Sequence, residues 1–574
     1  MAMMNKRDNG MNMRMVWALV VTMAVLLLSD WVALRFFGVN LAGQPAKPAV
    51  VAEAAPAQVA DVAAAEGLPA AGQAVANVAT PPAVATRVAL ENARVDARVN
   101  TLGGRLDMLT LKSYKGEISD PDGFVFLKPG GAHAEYIAAG WAGAGIEGPG
   151  ENAVWTLDTA NAQAGQVAMV WQNASGQAFR RVMELKPDSY VVTVTEQVHN
   201  SAELPVSLTP FVQVHRADGY WPNERSSFVN YFGPMGVTSD ADNAFKLHET
   251  AFGDLKDDGK SAPIEGVGGW WGITNQYFMA AVMPGTVDGV EVPSQRQFRY
   301  SSVGTAASAG GVQDVYTASV SWPNVVVAPN QTRSVSYEMY VGPKHYGQLK
   351  EAGHTLEQAI SWGWFGPLVK ALYYVMAWIH SYTGDWALAV IGLTFLLKLV
   401  TFPLANKSYH AMAKMRRLQP KMEELKAKHK DNQQALATEM MAMYKREKVN
   451  PMSGCWPMLI QIPIFFAMYK VVLVMFEFRH APLGLWPFSE WIVDMSVYDP
   501  LYVLPVLMGA SMWVQFKLNP APADPTQAMM FKWMPAFMTV MFLWFPAGLV
   551  LYWLTNNVLS VAQQYYIMKK DKAI

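Results

Sequence analysis

The sequence predicts a multi-domain protein: an α-helical membrane bundle of six spans with a five-helix core, a periplasmic all-β sandwich domain and a cytoplasmic helical hairpin. Three observations carry this prediction. The chain has 574 residues, too many for one domain. It is 52% hydrophobic and only 16% charged, with 20 Trp, a composition poorer in charge than that of ordinary soluble domains. The net charge of −1 hides a split, because residues 36–366 hold 21 Lys+Arg against 32 Asp+Glu while the remainder holds 24 against 14. The two portions therefore face different surroundings.

The chain begins with a basic leader, Lys6, Arg7 and Arg14, followed by an apolar run from Met15 to about Val39. Basic residues stay in the cytoplasm, so residues 1–14 are cytoplasmic and 15–39 leave outward as the first span. The uninterrupted apolar part ends near Leu28, which leaves a cleaved signal peptide as the alternative. Trp17 at one end and Trp31, Phe36 and Phe37 at the other favour a true span anchored at both interfaces. Residues 40–86 are rich in Ala, Pro and Val and read as a periplasmic tether. In 87–345 short alternating runs, such as 190–195 and 335–341, are separated by Gly, Asn, Asp and Pro, the pattern of an all-β sandwich.

Apolar runs follow at about 386–405, 457–476, 501–518, 532–546 and 548–567. Residues 361–380 are also apolar and aromatic, and charge decides their place. If they crossed the bilayer, the loop 406–450, with 11 Lys+Arg against 5 Asp+Glu, would be periplasmic, and 477–500, with 1 against 4, cytoplasmic. The positive-inside rule requires the reverse. Residues 361–380 then lie on the outer surface as an interfacial helix with Pro367 in the first turn. Both termini are cytoplasmic, the tail 569–574 with Lys569 and Lys570 included. Within 406–450, Met415, Leu418, Met422 and Leu425, then Leu436, Met440 and Met443, repeat at helical spacing on either side of 429–432. This predicts two antiparallel helices, each roughly 30 Å long. Their basic residues, Lys414, Arg416, Arg417 and Lys421 among them, suit anionic lipid headgroups or ribosomal RNA, although a solvated hairpin without a partner reads the same way.

Lys398 is the leading functional candidate. It lies about eight residues before the cytoplasmic end of its span, roughly 12 Å deep, where a cation costs about 2.5–3.5 kcal/mol unless it faces protein or water. The alternative is a lysine that snorkels to the headgroups. Asn556, Ser560, Gln563 and Gln564 share one face of the last span, Gln461 and Gln515 lie near the cytoplasmic ends of theirs, and Thr394 is one turn from Lys398. Helix–helix hydrogen bonding would explain such residues, but their clustering in one leaflet points to a hydrophilic recess open to the cytoplasm. Met458, Phe465, Met468, Met529, Met530 and Phe537 form apolar faces along which a client could slide into lipid, or which simply contact lipid. No Asp or Glu lies inside the five later spans, which argues against proton-coupled transport. The ten His show no metal-ligand spacing, the run 253–261 is one residue too long for a phosphate loop, and a lone Cys455 forms no internal disulfide. No cofactor, metal or enzymatic activity is expected.

The residues 403–420, Pro-Leu-Ala-Asn-Lys-Ser-Tyr-His-Ala-Met-Ala-Lys-Met-Arg-Arg-Leu-Gln-Pro, resemble the start of the cytoplasmic hairpin of YidC-type insertases. Residues 450–469 and 542–552 resemble the third and the fifth-to-sixth spans of that family, collinearly from about 361 to 568, and the first span with its large periplasmic domain matches the Gram-negative form. The resemblance implies a membrane protein insertase and chaperone, with a five-helix core (386–568) and a cation-bearing groove open to cytoplasm and lipid. Most members carry arginine five residues before the proline at 403, and this chain has Lys398. Charge is kept, but the planar five-donor fork is lost. Thr394, Gln461 and Tyr552 match positions around the groove or along the client's path. The resemblance implies nascent membrane proteins as clients, membrane lipids as surroundings, the Sec translocon as partner and a ribosome or targeting receptor at the cytoplasmic loops, without nucleotide hydrolysis. Two other readings stay in view: a small-solute transporter, and a sugar-binding or sugar-epimerising role for the sandwich.

Overall fold

The computed structural model describes residues 85–573 apart from 131–133, 161, 162, 164, 218–230, 241–243, 259–262, 291–297, 306–314, 364, 430, 431, 448, 450–455 and 521–524. The expected first span and almost all of the tether lie outside the described residues.

Residues 87–343 build two antiparallel sheets packed face to face. The ten-stranded sheet runs, in spatial order, Arg87–Glu91, Val95–Asn100, Arg105–Leu111, Glu135–Ala142, Val206–Ala217, Val315–Ser321, Phe298–Thr305 and Ile264–Gly266, with Phe124–Leu127 and Val325–Val327 pairing off this path. The nine-stranded sheet runs Phe245–Glu249, Gly233–Ser239, Gly268–Thr274, Phe278–Val287, Gln331–Pro343, Val191–Asn200, Gln177–Leu185, Gln166–Gln172 and Thr156–Leu157. Period-two burial generates the layer: along Val191–Asn200, Val192, Val194, Glu196 and Val198 point inward. The all-β sandwich expected from alternation is present.

One inward slot holds a charge. Arg181 stands between buried Phe179 and Met183, itself fully buried. Its Nε donates to Glu196 Oε1 at 3.1 Å, Nη1 to Gly104 O at 2.7 Å and Nη2 to Ala139 O at 2.9 Å. Glu196 also accepts Trp141 Nε1 at 2.7 Å and the Tyr337 hydroxyl at 2.8 Å. Both sheets therefore contribute to one satisfied ion pair, and geometry of this quality is what offsets desolvation of two charges. Gly104, at φ +55°, must lack a side chain, since a Cβ there would stand 2.8 Å from the Trp155 indole nitrogen and 3.0 Å from Arg181.

Ten helices are described: α1 (Phe252–Asp258), α2 (Tyr346–Ala352), α3 (Gly366–Thr383), α4 (Trp386–Arg417), α5 (Gln419–Lys428), α6 (Gln433–Arg446), α7 (Trp456–Val474), α8 (Val503–Leu518), α9 (Pro525–Phe542) and α10 (Ala547–Lys570). α3 carries Pro367 in its first turn, ends at Gly384 with φ +67°, and buries Val369, Leu372, Tyr373 and Met376 while Trp378 and Tyr382 stay exposed. Asp385 caps α4 by accepting from Leu388 N at 3.0 Å. Among the described residues, α4 alone is both long and apolar enough to cross a membrane by length and composition, while Leu459–Val474, Val503–Leu518 and Ala528–Phe542 are shorter apolar helices.

The hairpin departs from expectation. α4 continues through Pro403 to Arg417, so the arms are α5 with 10 residues and α6 with 14, about 15 and 21 Å rather than 30 Å. Pro420 accounts for the break: it has no N–H to extend α4, and its ring would clash with the carbonyl four residues back. Met422, Met440, Met443 and Tyr444 form the small buried core between the arms.

Sandwich and helices share one continuous hydrophobic core. At the seam, Phe476 packs edge-on to Tyr114 at 5.0 Å and to Phe278 at 5.6 Å. Gln276 Nε2 donates to Leu473 O at 2.8 Å, satisfying a carbonyl at the end of α7. Arg479 Nη2 donates to Lys115 O at 2.6 Å and Gly116 O at 2.9 Å.

Two predictions follow from the sandwich. Arg181→Ala leaves Glu196 buried without its partner and is expected to destabilise the sandwich by about 3–5 kcal/mol, read as an early transition in urea unfolding of the full chain. His215 is buried against Tyr136, whose ring stacks at 4.8 Å, with Thr317 Oγ1 at 3.1 Å and Glu151 Oε1 at 3.3 Å. Burial, and then the charge of Arg105, push His215 down to about 3 from the ordinary 6.5, so it folds neutral. The unfolded chain takes up that proton at higher pH, so stability falls as pH drops from 6.5 towards 3. Thermal melting across that range is expected to fall less steeply for His215→Gln than for the parent chain.

Candidate functional site

The polar residues singled out in the membrane half lie on α4, α7, α8 and α10. α4 brings Lys398 against α10, where its Nζ donates to Ser560 Oγ at 2.6 Å. Ser560 in turn donates to Asn556 O at 2.7 Å, and both Ser560 and Asn556 are buried. Lys398 has no carboxylate within ion-pairing reach among the described residues, so a serine hydroxyl is what receives this cation.

α8 and its C-terminal cap, Asn519, supply a second polar stripe. Ser511, Gln515 and Asn519 recur one turn apart, and the outer two meet α10: Asn557 Nδ2 donates to Ser511 Oγ at 3.2 Å, and Gln564 Nε2 to Asn519 Oδ1 at 2.9 Å. Gln515 lies half-buried between them. Gln563 Nε2, Gln564 Oε1 and Trp553 Nε1 are buried without a hydrogen-bond partner among the described residues. Buried amide groups are costly unless they are hydrogen-bonded, and water is the usual remedy.

The opposite end of the bundle is aromatic. Phe465 meets Trp553 edge-on at 5.1 Å, Phe542 stacks on Phe545 at 4.8 Å, and Tyr469 lies 5.6 Å from Phe545. Gln461 donates to the hydroxyl of fully buried Tyr552, the neighbour of Trp553 on α10.

The structure sorts the sequence candidates. It joins Lys398 with Ser560 and Gln461 with Tyr552. Thr394 is buried and spends its hydroxyl on Val390 O, one turn back on its own helix, at 2.7 Å. Of the expected sliding residues, Met468 is fully buried, and Phe465 belongs to the aromatic cluster rather than an outer face. Met529 and Phe537 do face outward with Trp533 and Val540, Met530 is half-buried, and the Met458 side chain lies outside the described residues. In the hairpin, Lys414 and Arg417 are exposed, but Arg416 donates to Lys517 O and Leu518 O, and Lys421 pairs with Glu447 at 2.8 Å. Arg416 is thereby a tie between α4 and the end of α8. Sequence reasoning missed Ser511 and Asn519; their one-turn recurrence with Gln515 was the available signal.

A bundle of apolar helices with polar groups towards one end and a β-sandwich seated on the other fits a membrane protein with an extramembrane domain. The family described as "60Kd inner membrane protein" matches residues 378–573, and "YidC periplasmic domain" matches residues 87–375. The chain belongs to the YidC family of membrane protein insertases, proteins of the inner membrane that carry a periplasmic domain. It is similar to "Membrane protein insertase YidC" of a Ruegeria species, 36% identical over 520 residues that cover 83% of this chain and 81% of that protein. It is also similar to the protein so named in Magnetococcus marinus, 34% identical over 538 residues and 92% of each chain. A solved structure of an active YidC insertase with its first transmembrane domain resolved is 16% identical, covers 84% of this chain and 92% of its own, and superposes with a TM-score of 0.36.

The packing of α8 on α9 is tight enough to test. A Cβ at Gly509 would stand 1.8 Å from Thr539 Oγ1. Gly509→Ala is expected to cost about 1–3 kcal/mol by overpacking, lowering the melting temperature in detergent, and Gly509→Ala with Thr539→Ala is expected to recover most of the loss.

Proposed function

We propose that this chain moves client transmembrane segments from the cytoplasm into the inner membrane through the recess around Lys398. The observation that carries the reading is a cation held by a serine hydroxyl, with other polar groups further along the same helix, in an otherwise apolar bundle. In this reading there are six spans with both termini inside, and the hairpin α5–α6 stands in the cytoplasm. The charge bias of 406–450 against 477–500 supports that orientation.

A client helix of about 20 apolar residues gains roughly 6–12 kcal/mol on entering lipid, so insertion is downhill. The barrier is its polar tail, each charge of which adds a few kcal/mol across roughly 30 Å of hydrocarbon. A recess reaching partway across shortens that path. The helices add to the effect, because α8, with 16 residues, spans only about 24 Å and draws the bilayer thinner beside it. Lys398 offers acidic or polar tails a transient partner, and the membrane potential then drives an acidic tail outward by about 2.3 kcal/mol per charge per 100 mV. No step in this scheme uses a nucleotide. The outward face of α9, with Met529, Trp533 and Phe537, suits release into lipid. Exposed Lys414 and Arg417 suit a ribosome, a targeting receptor or anionic headgroups. The same bundle serves alone or beside the Sec translocon, where it would act as a folding chaperone.

The test uses a single-span client with an acidic N-terminal tail and liposomes containing only this protein, with insertion scored by protection from added protease. Lys398→Arg is expected to insert at about the parent level, and Lys398→Ala and Lys398→Glu to fall at least about tenfold. Equal insertion by all four would reduce Lys398 to a snorkelling lysine. No insertion by the parent above empty liposomes would remove the stand-alone activity.

A further inference from the structure

A cleft of about 510 Å³ opens at the seam between sandwich and bundle. Its walls are the sandwich segments 116–119 and 275–278, the end of α7 at Leu473, and both sides of the connection from α7 to α8. That connection folds back on itself: Leu483 N donates to Ile492 O and Met495 N to Ala481 O, both at 2.9 Å. Arg479 and His480 thereby stand on one side and Asp494 on the other. The volume falls in the range of roughly 300–1,000 Å³ typical of small-molecule sites and far exceeds the roughly 30 Å³ of one water.

Two opposite charges line this cleft with capacity to spare. The Arg479 guanidinium lies 5.6 Å from the Tyr277 ring and 5.4 Å from that of Phe278, and Nη2 donates to Lys115 O and Gly116 O. The N–H groups on Nε and Nη1 have no partner among the described residues. Asp494 is buried, and its Oδ1 accepts from Ser496 N at 2.8 Å and Ser496 Oγ at 2.7 Å, whereas Oδ2 accepts no hydrogen bond among the described residues. Exposed Glu117 adds a second carboxylate to the lining. Burial, and then the charge of Arg479, push His480 down to about 4 from the ordinary 6.5, so it lines the cleft as a neutral ring.

The same end of the bundle exposes Trp378, Tyr382, Trp486 and Trp544. Exposed Trp and Tyr mark the boundary between hydrocarbon and water, which sets the cleft at the level of lipid headgroups. We infer that the cleft holds the headgroup of a zwitterionic phospholipid of the outer leaflet, its phosphate on Arg479, its primary ammonium on Asp494 and Glu117, and its first apolar carbons against Ile118, Leu473 and Val497. Arginine is the side chain best suited to phosphate oxygens, and an ammonium brings three donors to carboxylates that have acceptor sites open. An anionic lipid would leave Asp494 without a partner, and a trimethylated ammonium has no N–H to give it. A lipid seated there touches sandwich and bundle at once.

The experiment adds short-chain phosphatidylethanolamine or phosphatidylglycerol to the full chain in detergent and reads the lipid-bound fraction by native mass spectrometry. The parent is expected to bind the ethanolamine lipid at least about tenfold more tightly, the size of one charge-assisted hydrogen bond. Asp494→Asn is expected to abolish that preference by weakening the ethanolamine lipid alone, whereas Arg479→Gln weakens both lipids. Val493 lines the cleft and is 45% exposed, so Val493→Trp fills the space with both charges in place. It is expected to weaken both lipids, which keeps the test open if Arg479→Gln loosens the seam. Equal affinity of the parent for the two lipids overturns the inference, as does ethanolamine-lipid binding that Val493→Trp leaves unchanged. Displacement of the lipid by an equal concentration of soluble phosphoethanolamine overturns the lipid as occupant in favour of a free zwitterion.

Discussion

An ammonium on the apolar helix α4 has to be given a partner, and much of the helical half is arranged around that need. Hydrocarbon offers nothing to a cation, so α10 is held alongside α4 at the one register that presents Ser560 to Lys398. The remaining ties repeat that register further along: His410 meets Asp571, and Arg416 reaches the last carbonyls of α8. α8 is then drawn to the same face of α10 by Asn557 and Gln564. Neutral hydrogen bonds between membrane helices are individually weak, about 1 kcal/mol or less. Several in register set an alignment that apolar contact with lipid-like side chains would leave free to slide.

The two ends of the bundle divide the work. One end keeps polar groups, some of them without protein partners, and the other is closed by Phe465, Tyr469, Phe542, Phe545 and Trp553. The sandwich is not loosely tethered above this closure. Gln276 satisfies the end of α7, and Arg479 donates to two sandwich carbonyls while Phe476 enters the sandwich's aromatic cluster. The same economy holds inside the sandwich, where Arg181 and Glu196 pair only because backbone carbonyls and two aromatic donors complete their shells.

Sequence by itself determined the classes of element. Period-two alternation marks strands such as Val191–Asn200 wherever one face is buried, and apolar runs mark the membrane helices, because both signals depend only on local spacing and transfer free energy. Lys398, Ser560 and Asn556 were legible as candidates for the same reason, since polar groups are conspicuous in apolar runs. Which of them touch was decided by tertiary structure. Thr394, one turn from Lys398, turns back on its own helix, while Ser560, 162 positions away, takes the ammonium. Met468 and Arg416 look like surface residues from their neighbours and are respectively core and tie. The hairpin arms fell short because Pro420 ends α4 in a way that an apolar repeat cannot signal. Periodicity reports which face of a helix is apolar, but a partner on another helix depends on register and crossing, and these are set only when all the helices pack at once.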